Sequence, residues 1–510
     1  GDYEKARVDV KNALQIDINS AQGFYMMALV EEKEQNWRTV FGNLQKAVEI
    51  DPDHVPATIK LAQINMLAQN EEEALRLIEH ALKLAPEDAD ALATRSTIAL
   101  RADDKQLAEE YALAALAVDP GQSSAIAVMV SMFTTEEPEK ARAVLLAGRE
   151  ADPESDAIRL LLIRFLDMQG DTQGAIAEYE AIIEAKPDEF NAVGQLIEYL
   201  VSKEMYDEAE VLLEQAILDF PDDLNAKLSL VRFQGRFRDA GQAHATLVAM
   251  LKEQPEEFEL RDSLGKLEVA LENIDAAKAV YLDTFNYSVD GANAIEARNR
   301  LADIAMLTGD TAEAQKWIDE VLEIEPENAD SLLKQSKIKV EAGNYKEAIP
   351  DLRLVLRSTP DSIPALLLLA DAQVKDRAIG LALDNYMKVL ALAPRNRLAL
   401  YQSARLLTGQ QQYEKAAANI EILLEDYPNN VQAINLLSDL YSKLNLYDEA
   451  IAMIERLSAN EETAPIADLM KSSLALRQRQ FDEAITLAKG ALAANDDLVA
   501  AVPVIAQAYA

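Results

Sequence analysis

Residues 71–86 place apolar side chains at 74, 75, 77, 78, 81, 82 and 85, with charged or polar ones between them. Spacings of three and four put that apolar set on one face of a helix. Glu71, Glu72 and Glu73 open the segment, where the helix dipole favours negative charge. Pro86 closes it. Proline lacks the N–H that a further helical bond needs, and it biases the residue before it away from the helical region. Just upstream, Leu61, Ile64, Leu67 and Ala68 form a second stripe and predict a preceding helix. Two amphipathic helices with short turns therefore make one unit.

The unit recurs. Pro52, Pro86, Pro120, Pro153, Pro187, Pro221 and Pro255 are spaced by 34 residues, with one spacing of 33. Pro326, Pro360, Pro394 and Pro428 continue at 34, after a gap of 71 that equals two periods plus three residues. Alanine stands 12 residues before each proline slot, as at Ala74, Ala108, Ala141, Ala175, Ala209, Ala243, Ala314, Ala348, Ala382 and Ala416. The phase extends to Ala6, Ala277, Ala450 and Ala484, and only Val40 breaks it. A small residue at one fixed slot marks a close helix crossing. An aromatic often lies three residues earlier on the same face, as at Tyr3, Trp37, Tyr206, Tyr345, Tyr413, Tyr447 and Phe481.

A period of this length predicts a solenoid, because one helix pair cannot bury its own apolar face and must stack on copies of itself. The phase gives about 14 antiparallel helix pairs between residues 19 and 495, a lone second helix at 2–17 and a lone first helix at 497–509. The expected fold is all-α, a right-handed superhelical solenoid with a half repeat at each end. No Pro/Gly/Ser-rich linker interrupts it, so 1–510 reads as a single array. Irregular repeat boundaries are expected near 134–138 and 286–294, as altered turns. The last segment, with Leu498, Val499, Val502, Val504 and Ile505, is apolar and uncapped, which reads as a fragment of a longer chain.

Gly-Asp-Tyr-Glu-Lys-Ala at 1–6, Gly-Asn-Tyr-Lys-Glu-Ala at 343–348 and Tyr-Asp-Glu-Ala at 447–450 resemble the second-helix opening of the tetratricopeptide repeat. The small first-helix residue of that family matches Ala28, Ala62, Ser96, Gly265, Ala302, Ser336, Ala370, Ala404, Ser438 and Ser472. Val130, Ile163, Ile197 and Val231 depart from it in the middle repeats. The resemblance implies a concave groove lined by first helices that receives other proteins or peptides.

The chain carries 88 acids against 49 bases, a net charge of −39. Such a surface repels nucleic acid and anionic membranes. Zero cysteines exclude disulfides, thiolate metal sites and cysteine nucleophiles. His54, His80 and His244 fall in different repeats and suggest no ligand cluster. There is no phosphate loop, dinucleotide fingerprint or nucleophile elbow. No catalytic residue, cofactor or metal is expected, and the chain does not read as an enzyme.

The groove is where bases gather. Eleven residues past each proline mark, adjusted for the insertion, stand Arg164, Glu198, Arg232, Lys266, Asp303, Lys337, Asp371, Arg405 and Asp439. Arg300 and Lys334 occupy the neighbouring inward slot. Two readings follow. Near-alternating sign points to ion pairs between adjacent first helices, and the local excess of bases from Arg232 to Lys337 points to a seat for an acidic peptide. The binding candidates are therefore Arg232, Lys266, Arg300, Lys334, Lys337 and Arg405. The Lys/Asn clamp by which chaperone-binding relatives hold a terminal carboxylate is not reproduced at Ile59/Gln63, Ala93/Thr97, Leu333/Lys337 or Asn435/Asp439. The asparagine ladder of glycosyltransferase-linked relatives is also missing, since its slots hold Lys60, Thr94, Gln195, Ser229, Lys334 and Leu368.

Residues 1–17, above all Lys11-Asn12-Ala13-Leu14-Gln15, resemble the opening repeat of bacterial lipoproteins linked to exopolysaccharide export and surface sorting. That resemblance implies a periplasmic, membrane-anchored scaffold, tethered through an N-terminal lipid outside this sequence. The competing expectations are a targeting arm of an enzyme whose catalytic domain lies beyond residue 510 and a cytoplasmic assembly chaperone.

Overall fold

The computed structural model describes residues 3–510 except Val289, and of Tyr3 the backbone alone. Gly1 and Asp2 of the opening motif, and Val289 within the 286–294 irregularity, lie outside the described residues. Among the described residues the protein is all-α, with thirty α-helices and one 3-10 turn at Thr284–Asn286. It divides into two compact units, 1–239 and 240–510. In the first, the helix Tyr3–Ile16 precedes six helix pairs and the first helix Leu224–Phe237. The second opens with the second helix Ala240–Glu253, runs through seven pairs and ends with the first helix Ala501–Tyr509. The pair expected at 224–253 is thus shared between the units.

The proline period works through capping. After Pro86 the carboxylate of Asp88 accepts the Ala91 N–H at 2.9 Å and starts a first helix. The same slot, two residues past proline, holds Asn396 and Asn430, whose side chains accept from Ala399 and Ala433. These oxygens satisfy amides that a helix start leaves without partners. The turn from first to second helix uses a left-handed residue, at Gly170, Gly309 and Gly343 but also at Gln69, Glu204, Arg377 and others. The short turn holds non-glycine residues in that region despite its steric cost. Two repeats lack such a residue. One is the expected irregularity, where Thr134 stays helical and Pro138 begins the next helix. The other, at Arg238 with φ −121°, has no signal in the proline phase.

The alanine slots behave as read. Ala74, Ala108, Ala141, Ala209, Ala348 and Ala450 are all 0 % exposed, and Val40 is buried in the same slot. The first-helix stripe differs from the reading. Leu61 is buried, but Leu67 is 69 % exposed. It is the last residue of Val55–Leu67, beyond the turn that packs, and Met66 fills the core instead. The insertion also differs. The helix Ile274–Asp283 stops early in a 3-10 turn, and the following first helix, Ala292–Leu307, has 16 residues where its neighbours have 13. The three extra residues become nearly one additional helical turn. Gly291 permits its start with φ 105°.

Within each unit several first helices also touch the first helix of the next repeat, as Val55–Leu67 touches Ala89–Arg101 and Ala292–Leu307 touches Ala329–Glu341. No second helix makes a comparable contact with the next second helix among the described residues. First helices therefore line the inner face of each unit.

Candidate functional site

Three first helices of the second unit, Phe258–Ala270, Ala292–Leu307 and Ala329–Glu341, carry four of the six candidate cations. Three of those four are bound by the chain's own carboxylates. Lys266 reaches Asp262 Oδ2 at 2.5 Å, one helical turn away. Arg300 crosses from the next helix to Asp262 Oδ1 at 2.9 Å and also holds Glu296 at 2.5 Å. Lys334 crosses in turn to Asp303 at 3.2 Å and pairs with Asp330 on its own helix. Asp262 and Asp303 thus stitch three repeats through Arg300 and Lys334. Exposed pairs contribute about 0–1 kcal/mol each. The Asp262 side chain is only 15 % exposed and that of Lys334 8 %, so this ladder is better shielded than most surface pairs.

A second helix completes it. Tyr281, 1 % exposed, sends its hydroxyl through to Asp262 Oδ1 at 3.1 Å. The ring passes where the first helix carries Gly265. A Cβ there would lie 2.4 Å from Tyr281 Cζ, so glycine is the residue that lets this tyrosine through. Burial pushes the Tyr281 hydroxyl up, as does the Asp262 charge. Burial also acts to raise Asp262, but hydrogen bonds from Lys266 and Arg300 outweigh it and leave this carboxyl below its usual range. For Asp303 the balance reverses. Burial raises it, Asp330 adds to the rise, and Lys334 and Arg300 only partly offset it.

The remaining candidates are placed differently. Lys337 is exposed and has no ion-pair partner among the described residues. Arg405 is exposed, and its one side-chain contact is Nη1 donating to Gln402 Oε1 at 3.3 Å. Arg232, in the first unit, donates to Ser229 Oγ at 2.9 Å and meets no carboxylate within ion-pair distance among the described residues. It borders a cleft of about 480 Å³ between Phe190–Ser202 and Leu224–Phe237, with Phe190, Asn191, Gly194 and Glu198 on the opposite wall. A Cβ on Gly194 would meet nothing within 4 Å, so this glycine leaves the cleft open. Asp439 is taken by Arg477 of the next first helix.

Sequence reasoning missed the tyrosines. Tyr179, Tyr281 and Tyr386 share one second-helix slot, four residues after the alanine, where other repeats place Ile78, Leu213, Leu352 or Ile420. That periodic substitution was the available signal. The histidines hold local contacts. His54 caps a helix by accepting the Ala57 N–H at 3.2 Å, His80 approaches the Pro52 carbonyl at 3.0 Å, and His244 meets Glu268 at 2.8 Å. No group of acids and histidines suited to a metal ion occurs among the described residues, and none of their helices is long and apolar enough to cross a membrane.

Comparison with known proteins matches segments of the sequence to a repeat family. Tetratricopeptide-repeat profiles match residues 33–98, 132–200 and 407–472, and another matches 295–328. The solved structure of Naa15/Naa10 bound to HypK-THB is similar over 99 % of this chain and 88 % of its own, at 14 % identity and a TM-score of 0.43. A tetratricopeptide repeat protein from Parabacteroides merdae matches 50 % of this chain over 99 % of its own, at 16 % identity and a TM-score of 0.34. MamA matches 33 % of this chain over 92 % of its own, at 23 % identity and a TM-score of 0.31. The matched segments of this all-helical chain are tetratricopeptide repeats.

Proposed function

We propose that the protein is a non-catalytic scaffold whose first-helix faces hold segments of other proteins. One observation carries this reading. In a chain with 88 acids, Arg232, Lys337 and Arg405 stand exposed on those faces without a carboxylate partner among the described residues. Cations left unpaired amid such an excess of acid are placed for a guest. Lys266, Arg300 and Lys334 keep the second unit's face in shape. The guest is an acidic protein segment, since exposed cations steer and orient such a partner.

The test is recovery of partners by the wild type and by a triple variant, Arg232→Glu, Lys337→Glu and Arg405→Glu, with helix content checked by circular dichroism. A partner held by the wild type and lost from the variant supports the reading. Equal recovery defeats it. For the cellular setting we propose the bacterial envelope, with a lipid anchor ahead of Gly1 and a role in exopolysaccharide export. The support is the resemblance of residues 1–17, centred on Lys11-Asn12-Ala13-Leu14-Gln15. Mass spectrometry of the natural protein's N-terminus tests it; a mature end without a lipidated cysteine removes the anchor.

A further inference from the structure

The first helices Val431–Lys443 and Ala464–Arg477 of the second unit enclose a cavity of about 210 Å³. Ser438, Asp439 and Ser442 stand on one wall, and Met470, Ser473 and Arg477 on the other. Ser438 occupies the small-residue slot of its first helix, which elsewhere serves packing. In that slot Ser96 donates its hydroxyl to the Ala108 carbonyl at 2.6 Å, and Ser336 is sealed at 0 % exposure. Ser438 is 6 % exposed and borders the cavity, and its side chain makes no hydrogen bond among the described residues. A buried hydroxyl without a partner is costly, and here it opens onto space.

The charges around that space are already matched. Arg477 pairs with Asp439 through Nη2 and donates from Nη1 to Ser442 Oγ at 3.2 Å. Lys443 approaches the other Asp439 oxygen at 3.6 Å. A guest carboxylate would face Asp439, and a guest ammonium would face Arg477 and Lys443, so neither finds a free counter-ion. The capacity left over is neutral. The hydroxyl protons of Ser438 and Ser442 are free to donate. Ser473 gives its proton to the Leu469 carbonyl at 3.1 Å and keeps an oxygen that accepts, as does Asp439. A primary amide carries an acceptor and two donors on one planar end and answers both needs. A cavity of about 150 Å³ admits benzene, so this one has room for an amide and its stem. Half-buried Met470 offers the stem an apolar contact.

We infer that this cavity receives the side-chain amide of a glutamine in the partner segment that lies on the second unit's first-helix face. Its carbonyl accepts from Ser438 and Ser442, and its NH2 donates to Ser473 and Asp439. Ser438 lies deep, which selects glutamine over the shorter polar side chains. This inference rests on the scaffold reading and names one residue that the segment carries.

The experiment uses the full chain and labelled twelve-residue peptides in a Gly/Ala background, each with one central Gln, Glu, Lys or Met. Binding is read by fluorescence anisotropy and by the 13Cε methyl resonance of Met470. The Gln peptide should bind roughly tenfold tighter than the other three and move the Met470 resonance, as an otherwise unmatched hydroxyl predicts. Ser438→Ala should remove most of that preference while the melting temperature stays put, since no internal bond is lost and Ala62, Ala370 and Ala404 hold the same slot. Ser438→Val, a residue the slot already carries at Val130 and Val231, should fill the cavity and abolish the preference. Equal binding of the four peptides, binding of none, or a preference that survives both substitutions overturns the inference. The triple reversal of Arg232, Lys337 and Arg405 leaves this cavity untouched. If partner recovery responds to that reversal while the glutamine preference is absent, the scaffold reading stands and this inference falls. If recovery is also unchanged, both fall.

Discussion

The first-helix face at 262–334 and the face at 367–405 both pack a second-helix tyrosine and differ in how their charges are paired. In the first, Asp262 is held by Lys266, Arg300 and the Tyr281 hydroxyl, so every strong donor is satisfied within the chain. In the second, Leu367 stands at the acid's slot, Asp371 is the carboxylate that acts on Tyr386, and Arg405 makes no ion pair among the described residues. A row of bases on a groove is therefore not evidence of binding until each base has been traced to its partner. The paired stretch contributes rigidity between repeats, where stability in such arrays is set by nearest-neighbour interfaces. The unpaired stretch has donors to spare.

The small residue under each tyrosine gives the largest predicted contrast. At Gly265 an added methyl meets the Tyr281 ring at 2.4 Å. Gly265→Ala should destabilise the helices around it by about 1–3 kcal/mol through overpacking. Ala370 is the corresponding residue beside Tyr386, buried in the same cluster at 0 % exposure. There Ala370→Gly should cost about 1 kcal/mol, because glycine weakens a helix interior. Native-state hydrogen exchange in Phe258–Ala270 and Ile363–Lys375 reads both changes locally. If alanine is harmless at 265, the close passage of the tyrosine does not govern that crossing.

The cations come next. Arg300→Met leaves the little-exposed Asp262 with one fewer charged donor and should cost about 1.5–3 kcal/mol. Arg405→Met should stay within about 0.5 kcal/mol, as surface changes without partners do. Equal costs would mean that Arg405 is engaged by the fold, and its availability to a guest would be lost. The hydroxyls sharpen the same contrast. Tyr281→Phe should cost about 1 kcal/mol, one hydrogen bond, while Tyr386→Phe should be neutral or slightly stabilising because its hydroxyl has no partner to lose.

Much of this molecule was legible before any coordinates. The proline and alanine phases place helix ends and crossings because both act through local backbone chemistry and size. Near-alternating sign along the slot from Arg164 to Asp439, as at Lys266, Asp303, Lys337 and Asp371, also announced a ladder. Pairing of a particular cation was less accessible, because Asp262 and Asp330 lie outside the slot in which the bases were counted. The tyrosines escaped for a related reason. They sit on second helices, and their hydroxyls reach the inner face through gaps set by the residue opposite, a three-dimensional condition that periodicity does not encode. The turn at Arg238 gave no warning either, since its repeat keeps both Pro221 and Pro255 in phase.

The smallest effect has opposite signs in the two acids of the ladder. Asp262 is held below its usual range, because hydrogen bonds from Lys266 and Arg300 outweigh burial. Its contribution is therefore present above the ordinary carboxylate pKa of about 4 and is lost as pH falls through the lower, folded value. Asp303 is held above its usual range by burial, so the folded state takes up this proton first. Stability from that group rises as pH falls through the raised value and levels off below the unfolded one. Melting temperatures measured from pH 7 downward should show the advantage of wild type over Asp262→Asn shrinking with acid. The difference between wild type and Asp303→Asn should move in favour of wild type. The Asp303 side chain is 46 % exposed, so its effect should be the weaker and the more readily screened by salt. If both differences drift in the same direction, the two carboxylates are not held in the opposed environments that this ladder assigns them.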